Sequence, residues 1–402
     1  MKTREVKLGE VANVKGGKRI PKGIGLINIP NGHPYIRVRD LNNKRLLELD
    51  NSYEYVDNET QKVISKYTVK TGDVVLSIVG TIGLVAIVGR TLDGANLTEN
   101  CVKLSSFHGV NRDFLYYYLR SDCGQQEIRC GTVGAVQAKL PIKNIQNIAI
   151  NLPDYTTQER IASLLLSIDR KIELNQKIND NLEQQAVALF KSWFVDFSLF
   201  GGTVPENWED TTLENITTLI TRGIAPKYSD NSDQTVVNQK CIRNHTIDLS
   251  LARTHTPKAI NEKWLKFGDL LINSTGDGTL GRVAQVWFAP KALTVDSHVT
   301  IVRPAREELI FYIGLWGILH EKEIESLHTG STGQTELPRD RVKMLKLLLP
   351  DNISLSRFNS IITPMASTII SNQEENQKLA SLRDTLLPKL MSGEIDVSNI
   401  QF

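Results

Sequence analysis

Cysteine is scarce in this 402-residue sequence: Cys101, Cys123, Cys130 and Cys241 are the only four, and none forms a Cys-x-x-Cys pair. A structural zinc site needs thiolates or imidazoles at short fixed spacings, so no metal is expected, and the low count suits a reducing compartment. Long apolar runs are missing as well, since no stretch approaches the roughly eighteen apolar residues that read as a membrane span. The N-terminal MKTREVKLGE has no apolar core, so no signal peptide is expected and a cytoplasmic location follows. Catalytic motifs are equally absent. There is no Gly-x-x-x-x-Gly-Lys-Ser/Thr phosphate loop for ATP-driven work, and no Asn/Asp-Pro-Pro-aromatic segment of the kind that holds a flipped base for methylation. No catalytic residue, cofactor or metal is therefore assigned, and the chain reads as a non-enzyme.

Charge of one sign is also lacking overall, with 47 Lys and Arg against 45 Asp and Glu. The balance is uneven along the chain. Residues 1–150 carry +7, residues 151–200 carry −2, residues 201–350 carry −1 and residues 351–402 carry −2. The first region thus has an electrostatic footprint suited to phosphates, and the third has only local ones.

What the sequence does hold is itself, twice. KTGDVVLSIVGTIGLVAIV (70–88) matches KFGDLLINSTGDGTLGRVAQV (266–286), and GTVGAVQAKLP (131–141) matches HTGSTGQTELP (328–338). Leu140-Pro141 falls on Leu337-Pro338 and Leu152-Pro153-Asp154 on Leu349-Pro350-Asp351, both at a spacing of 197 residues. VKLGEVANV (6–14) resembles TTLENITTL (211–219) at a spacing of 205, so one copy carries insertions. The length allows about two globular domains, and the repeat makes them equivalent. Each copy opens with short β-branched runs (VVLSIVG, DLLINS, HVTIVRP) separated by Gly, Asn and Asp turns, with a helical stretch near 111–129 or 306–327. That pattern predicts a mixed α+β globule.

Each copy ends in a glycine-free stretch, 156–193 or 354–390, that predicts one long helix. In the first, Ile161, Leu165, Ile168, Ile172, Asn175, Asn179, Leu182, Ala186, Leu189 and Trp193 recur in alternating steps of four and three. The second repeats the seam as Phe358, Ile362, Met365, Ile369, Asn372, Asn376, Leu379, Arg383, Leu386 and Leu390. Strict heptads mark a coiled-coil seam; the plainer alternative is two amphipathic helices, each lying on its own domain. Antiparallel packing would set together positions whose numbers add to 551, so that Asn175 meets Asn376 and Asn179 meets Asn372. Each buried amide would then find another, avoiding about 1–3 kcal/mol per unpaired group. Pro364 is expected to kink the second helix or remove a turn, and Arg383 to lay its stem opposite Ile168 with the guanidinium reaching outward. The expected fold class is α+β: two repeated mixed α/β domains, separated by two long antiparallel coiled-coil helices. The expected division is 1–150, 151–202, 203–348 and 349–402, domain and helical spacer in alternation.

Three motifs mimic chemistry. Gly276-Asp277-Gly278-Thr279-Leu280-Gly281 fits Gly-x-Gly-x-x-Gly, but the following RVAQVWF reads as a strand, so a strand-to-strand turn is expected rather than a cofactor loop. Pro153-Asp154 followed by Asp169-Arg170-Lys171 imitates a magnesium nuclease signature, yet its carboxylate and lysine fall on the predicted coiled-coil helix, and the second copy reads Ala366-Ser367-Thr368. His245, His255 and Asp248 form a possible metal or acid–base cluster, against which stands an ordinary loop role touching solvent or phosphate.

LPDYTTQERIASLLLSIDRKIELNQKINDNLEQQAVALFKSWF (152–194) resembles the central conserved region of type I restriction–modification specificity subunits, and DTLLPKLMSGEI (384–395) resembles their distal conserved region. VLSIVGTIG and GTVGAVQAKLP resemble their target-recognition domains, so the resemblance spans essentially the whole chain. The second helix entry, DNISLSRFNSI, departs from the usual Gln-Glu-Arg-Ile form. The resemblance implies a non-catalytic subunit that binds double-stranded DNA at a split, asymmetric target, one half per domain. It also implies partners: two methyltransferase (M) subunits docked on the helices, and restriction/translocase (R) subunits joining them. The helical span from 161 to 193 would cover about 48 Å at a rise of roughly 1.5 Å per residue, one to one and a half turns of DNA.

Candidate DNA contacts follow from residue type. Lys15, Lys18, Arg19 and Lys22, interleaved with Gly16 and Gly17, form a basic loop after the first apolar segment, with Arg222 and Lys227 as counterparts. Arg37, Arg39, Lys240 and Arg243 lie on the next segments, and Gln137 with Lys139, and Gln334, occupy equivalent loops of small residues. Cations suit phosphates or guanine, and an amide can read adenine bidentately; an ordinary solvated role is the competing reading for each. For the chain as a whole the competing readings are a two-module scaffold without DNA specificity and a self-sufficient modifying nuclease, the latter lacking its motifs.

Overall fold

A computed structural model describes residues 3–41, 44–134, 137–330 and 335–397. The chain forms two compact units, Met1–Glu173 with Gln377–Phe402, and Leu174–Asn376, so each unit takes half of each long helix.

In the first unit, strands Asn13–Gly16, Cys101–Ser105, Val74–Ser77, Val85–Val88 and Leu46–Leu47 lie side by side in one sheet. Its central strands read as continuous apolar runs because both faces are covered. Val74 and Leu76 point into a core with Phe114, Tyr117, Ile161, Leu165 and Leu390. Val75, Ala86 and Cys101 point the other way, onto Ile36 and Leu97 of a second sheet. That three-stranded sheet sets Pro34–Ile36 between Glu54–Tyr55, antiparallel, and Asn96–Leu97, parallel. Thr3–Lys7 pairs with Ala149–Pro153 where the domain meets the first long helix.

The second unit repeats this topology. Thr217–Arg222, Val299–Pro304, Leu270–Asn273 and Val283–Gln285 form its main sheet in the same order. Thr235–Val237 sits between an antiparallel Arg253–Thr254 and a parallel Leu293–Val295, and Glu209–Thr212 pairs with Lys346–Leu349. The Gly276–Gly281 segment joins two antiparallel strands, with Leu271 opposite Ala284. Gly276, Gly278 and Gly281 all have positive φ, at 105°, 64° and 83°, as a tight turn between strands requires. No helix follows to receive a pyrophosphate.

The long helices run Tyr155–Phe194 and Asn352–Ser392. Each starts on an aspartate that accepts backbone N–H groups, the favoured N-terminal cap. Asp154 takes Thr157 N at 3.0 Å; Asp351 takes Ile353 N at 2.8 Å and Ser354 N at 3.0 Å, together with the indole N–H of Trp208 at 2.8 Å. Partial burial opposes the charged form of Asp351, but the bonds from Ser354 and Trp208 outweigh it and hold the carboxyl at about 2.

The seam is antiparallel in the expected register. In the second unit Asn175 Nδ2 donates to Asn376 Oδ1 at 2.9 Å, Asn372 Nδ2 donates to Asn179 Oδ1 at 2.8 Å, and the rings of Trp193 and Phe358 lie 5.6 Å apart. In the first unit Ile161 and Leu390 are fully buried in one core, with Ile168 nearly so, while Ile172 and Leu379 are half-buried. Leu182 is half-buried and Ile369 fully buried in the second unit. The amide layers are not closed, since Asn175 also donates to Glu375 Oε2 at 2.7 Å and Asn179 to the Ile369 carbonyl at 3.4 Å.

Two expectations about the second helix need correction. Pro364 does not interrupt it: Asn352–Ser392 is one helix. Pro364 and Ser360 are both exposed, so the carbonyl that loses its N–H partner stands at the solvent face, where water can replace the bond. Arg383 does not reach outward either. Its guanidinium donates to Asp169 Oδ1 at 2.8 Å, and Asp169 also accepts the Tyr117 hydroxyl at 2.6 Å. The carboxylate of the nuclease-like Asp169-Arg170-Lys171 segment is thus spent on a buried structural pair.

Two predictions follow from this packing. With the exposed Cys123 and Cys130 replaced by serine, a chain carrying Ile172→Cys and Leu379→Cys is expected to form an internal disulfide. The pair Ile172→Cys and Ile369→Cys is not, and gel mobility under oxidising and reducing conditions reads the difference. Arg383→Leu strands the buried Asp169 carboxylate and is expected to cost about 3–5 kcal/mol, most of it recovered when Asp169→Leu is added, as denaturant unfolding of the three variants will show.

Candidate nucleic-acid interface

One glycine in each unit fixes where the surface loops lie. At the end of Asn13–Gly16 the chain leaves the main sheet for the smaller one, and Gly17 N donates to Cys101 O at 3.0 Å while Lys18 N donates to Leu97 O at 2.8 Å. A Cβ on Gly17 would lie 2.1 Å from Thr98 O. In the second unit Gly223 N donates to Val299 O at 3.1 Å, Ile224 N donates to Val295 O at 2.9 Å, and a Cβ on Gly223 would lie 1.9 Å from Val295 O. Only glycine allows so close a crossing of two backbones. Three further loops gather at this end of each sheet. They are the turn before Cys101 or Val299, the hairpin after Ser77 or Asn273, and the segment whose Lys139 bridges Val79 and Val133, or whose Glu336 bridges Thr275 and Thr329.

In the first unit this cluster is basic. Lys18 is exposed, with its amine 5.7 Å above the ring of Tyr67, and Arg19 is 77% exposed and paired with Glu99 at 2.5 Å. Lys15, Lys22, Gln137 and Lys139 are exposed. Arg37 and Arg39 do not share this freedom. Both bind Glu54, the latter at 2.7 Å, and Arg39 also approaches Asp40 at 3.4 Å. Burial pushes the Asp40 carboxyl up to about 6 against the opposing pull of Arg39. These two arginines brace the small sheet.

In the second unit the same loops carry other side chains. Arg222 is ion-paired with Glu336 at 2.7 Å and donates to Leu337 O at 3.0 Å. His298 stands where the first unit has Asn100, its Nδ1 2.7 Å from Thr275 Oγ1 and its N–H held by Asp296 at 2.9 Å. Asp296, beneath it, has its carboxyl raised by burial. Thr275 Oγ1 also lies 3.4 Å from Gln239 Oε1. Lys227, Lys240 and Arg243 are exposed without a carboxylate partner among the described residues; Gln334 lies outside those residues. Residue type alone does not single out Glu99, Asn100, Gln239, Thr275 and His298. Aligning TENC (98–101) with DSHV (296–299) would have found three of them.

The histidine cluster does not assemble. His255 is fully buried with its Nδ1 2.8 Å from Thr256 O, Asp248 caps Ser250 at 3.0 Å, and His245 lies 3.4 Å from Glu321. Among the described residues there is no group of three or more His, Cys, Asp or Glu able to hold a metal ion, and no helix is long and apolar enough to cross a membrane.

A duplicated α+β fold with a polar, partly basic loop cluster on each copy defines a recognition protein, and comparison with known proteins specifies the class. Residues 2–184 match the family described as type I restriction modification DNA specificity domain. The chain is 25% identical over 393 residues to the type I restriction enzyme MjaIX specificity subunit of Methanocaldococcus jannaschii, covering 91% of this chain and 88% of the relative. It is 22% identical over 346 residues to the HindI specificity subunit of Haemophilus influenzae, covering 67% and 73%. Its fold is similar to that of the type I restriction-modification S subunit from M. genitalium, with a TM-score of 0.56 at 16% identity over 97% of this chain and 96% of that one. Residues 2–184 thus match a type I specificity domain, and most of the chain is similar to type I restriction enzyme specificity subunits.

The crossing glycines give a direct check on the site's architecture. Gly17→Ala and Gly223→Ala are each expected to destabilise their own unit by about 1–3 kcal/mol or more, because the colliding atoms are backbone carbonyls that have no side-chain freedom to yield. Alanine at the neighbouring Lys22 or Lys227 should be neutral, and thermal unfolding of the four variants measures the contrast.

Proposed function

We propose that this chain selects a split, asymmetric double-stranded DNA target. The domain of residues 1–150 reads one half-site, that of 203–348 reads the other, and the helical spacers 151–202 and 349–402 set their separation. The observation that carries this reading is one frame presenting two different surfaces. Positions that frame the loops repeat in kind, as with Gly17 and Gly223, or Leu140-Pro141 and Leu337-Pro338. Exposed loop positions do not: Asn100 gives way to His298 and Lys139 to Glu336. A scaffold with two identical tasks has no reason to give its loop tips such different chemistry, whereas a reader of two unlike half-sites must.

Methyltransferase subunits, two in number, dock on the helices in this reading, and restriction subunits join that assembly in the cytoplasm. The family works with DNA and with both kinds of subunit. The chain itself supplies recognition, and base flipping and methyl transfer belong to the partner's active site. The helices, of 40 and 41 residues, each extend roughly 60 Å at 1.5 Å per residue, against about 34–36 Å for a DNA turn, enough for both half-sites to be met from one face.

Well-separated base contacts add approximately, so the halves should be exchangeable. Replacing residues 1–150 by the matching domain of a related subunit is expected to change one half of the methylated motif only, and replacing 203–348 the other half only. Sequencing of methylated genomic DNA reads both; a change in both halves from one replacement would contradict independent reading.

A further inference from the structure

The second domain poses an electrostatic problem. Residues 201–350 carry a net charge of −1. The position equivalent to Lys18 is Ile224, packed in an apolar cluster with Val236, Ile260 and Trp264, and Arg222 is bound to Glu336. The cations that make the first loop cluster basic are thus replaced or neutralised in the second. Cations nevertheless return to the same place from another part of the chain. Lys263 Nζ donates to Gly223 O at 3.0 Å and Lys258 Nζ donates to Ala225 O at 2.8 Å. The Arg253 guanidinium lies over the ring of Tyr228, 3.7 Å from its centroid. All three converge on the strand exit Gly223–Tyr228, which also carries the exposed Lys227.

The arrangement is held from below. Tyr228 bridges His255, Thr256 N donates to Lys227 O at 2.8 Å, and Ser229 N donates to Thr254 O at 3.2 Å, so the 253–256 segment is fastened alongside 227–229. Among the described residues none of Lys227, Arg253, Lys258 and Lys263 forms an ion pair, unlike Arg19, Arg37, Arg39, Arg45, Arg222 and Arg303. Lys258 and Lys263 each spend one of three donors on a backbone carbonyl and keep two. A guanidinium stacked flat on a ring loses rotational freedom while its N–H edge stays available. Tyr228 is 39% exposed, so the stack stands at the surface.

We propose that Arg253, stacked on Tyr228, and Lys258 form the DNA-phosphate contact by which the second domain seats itself on the duplex. This assignment rests on the DNA-reading function proposed above and names the residues that replace the basic loop of the first domain. Phosphate contacts fix register without reading sequence, and each contributes about 0.9 to the dependence of log affinity on log salt.

The test uses the full chain and two duplexes, one carrying the motif found by methylation sequencing and one with both half-sites scrambled. Affinities are measured from 50 to 200 mM salt by fluorescence anisotropy. The double variant Arg253→Ala, Lys258→Gln is expected to lower the salt slope by roughly 1.8 and to weaken binding about equally on both duplexes, with the methylated motif unchanged. Tyr228→Leu, which keeps the charges and loses the stack, is expected to weaken binding severalfold at an unchanged slope. Lys346→Gln, on the separate Lys346–Leu349 strand, should leave slope and affinity at wild-type values. These exposed changes are expected to leave the thermal unfolding midpoint unchanged, which the same samples report. Wild-type slope and affinity in the double variant, or a loss confined to the motif duplex, would overturn the phosphate assignment. Salt-independent or absent DNA binding by the wild-type chain would instead overturn the DNA-reading function itself.

Discussion

Two pairs of facing asparagines, Asn175 and Asn179 buried and their partners half-buried, govern how this chain is put together. Asn175 with Asn376, and Asn179 with Asn372, place four amides in a seam otherwise built from aliphatic and aromatic side chains. These pairs meet only when the helices run antiparallel in the observed register. A slip of one heptad would set Asn175 against Ile369 or Arg383, leaving polar groups buried at about 1–3 kcal/mol each. Apolar positions of a seam tolerate many registers; polar layers select one. In the proposed function, that choice of register is what fixes the spacing between the two half-sites.

The two units use different chemistry to grip the helices. In the first, Tyr117 and Arg383 meet on Asp169, and Arg45 holds Glu173 through both oxygens at 2.8 and 2.9 Å. Gln158 ties the helix entry to the domain, accepting Asn111 N at 2.7 Å and donating to Pro153 O at 2.9 Å. In the second, the equivalents of Asp169 and Gln158 are Ala366 and Leu355, both buried. Grip there comes from rings: Phe190, Trp193, Phe194, Trp208, Tyr312 and Phe358 pack with centroids about 5–6 Å apart. The departure of DNISLSRFNSI from the Gln-Glu-Arg-Ile form is therefore one part of a general exchange of polar for apolar anchoring.

Much of the frame was legible in the sequence, for a physical reason. Heptads and repeats are long-range patterns that survive one misplaced residue, so the helices, their register and the duplication could be read before any coordinate. The misreadings were local. Pro364 counted as a helix breaker because the rule assumes a buried, unreplaced hydrogen bond, whereas its carbonyl partner stands at the surface. Arg383 counted as a snorkelling side chain because Asp169, one residue off the seam, was not considered as its partner. The candidate DNA contacts were the least legible. Arg37 and Arg39 carry the right charge but are spent on Glu54, while Arg253 and Lys258 reach the strand exit from about thirty residues downstream through sheet pairing that no local pattern announces.

The central claim is that the helical seam sets the spacing of two independently read half-sites, and a paired deletion tests it most directly. Removing residues 176–182 and 369–375 takes one heptad from each helix, keeps Asn175 opposite Asn376 and preserves the seam on both sides. Methylation sequencing of a genome carrying this variant should show both half-sites unchanged and closer together, by at most about three base pairs for a loss of roughly 10 Å. An unchanged spacing, or an altered half-site sequence, would contradict it.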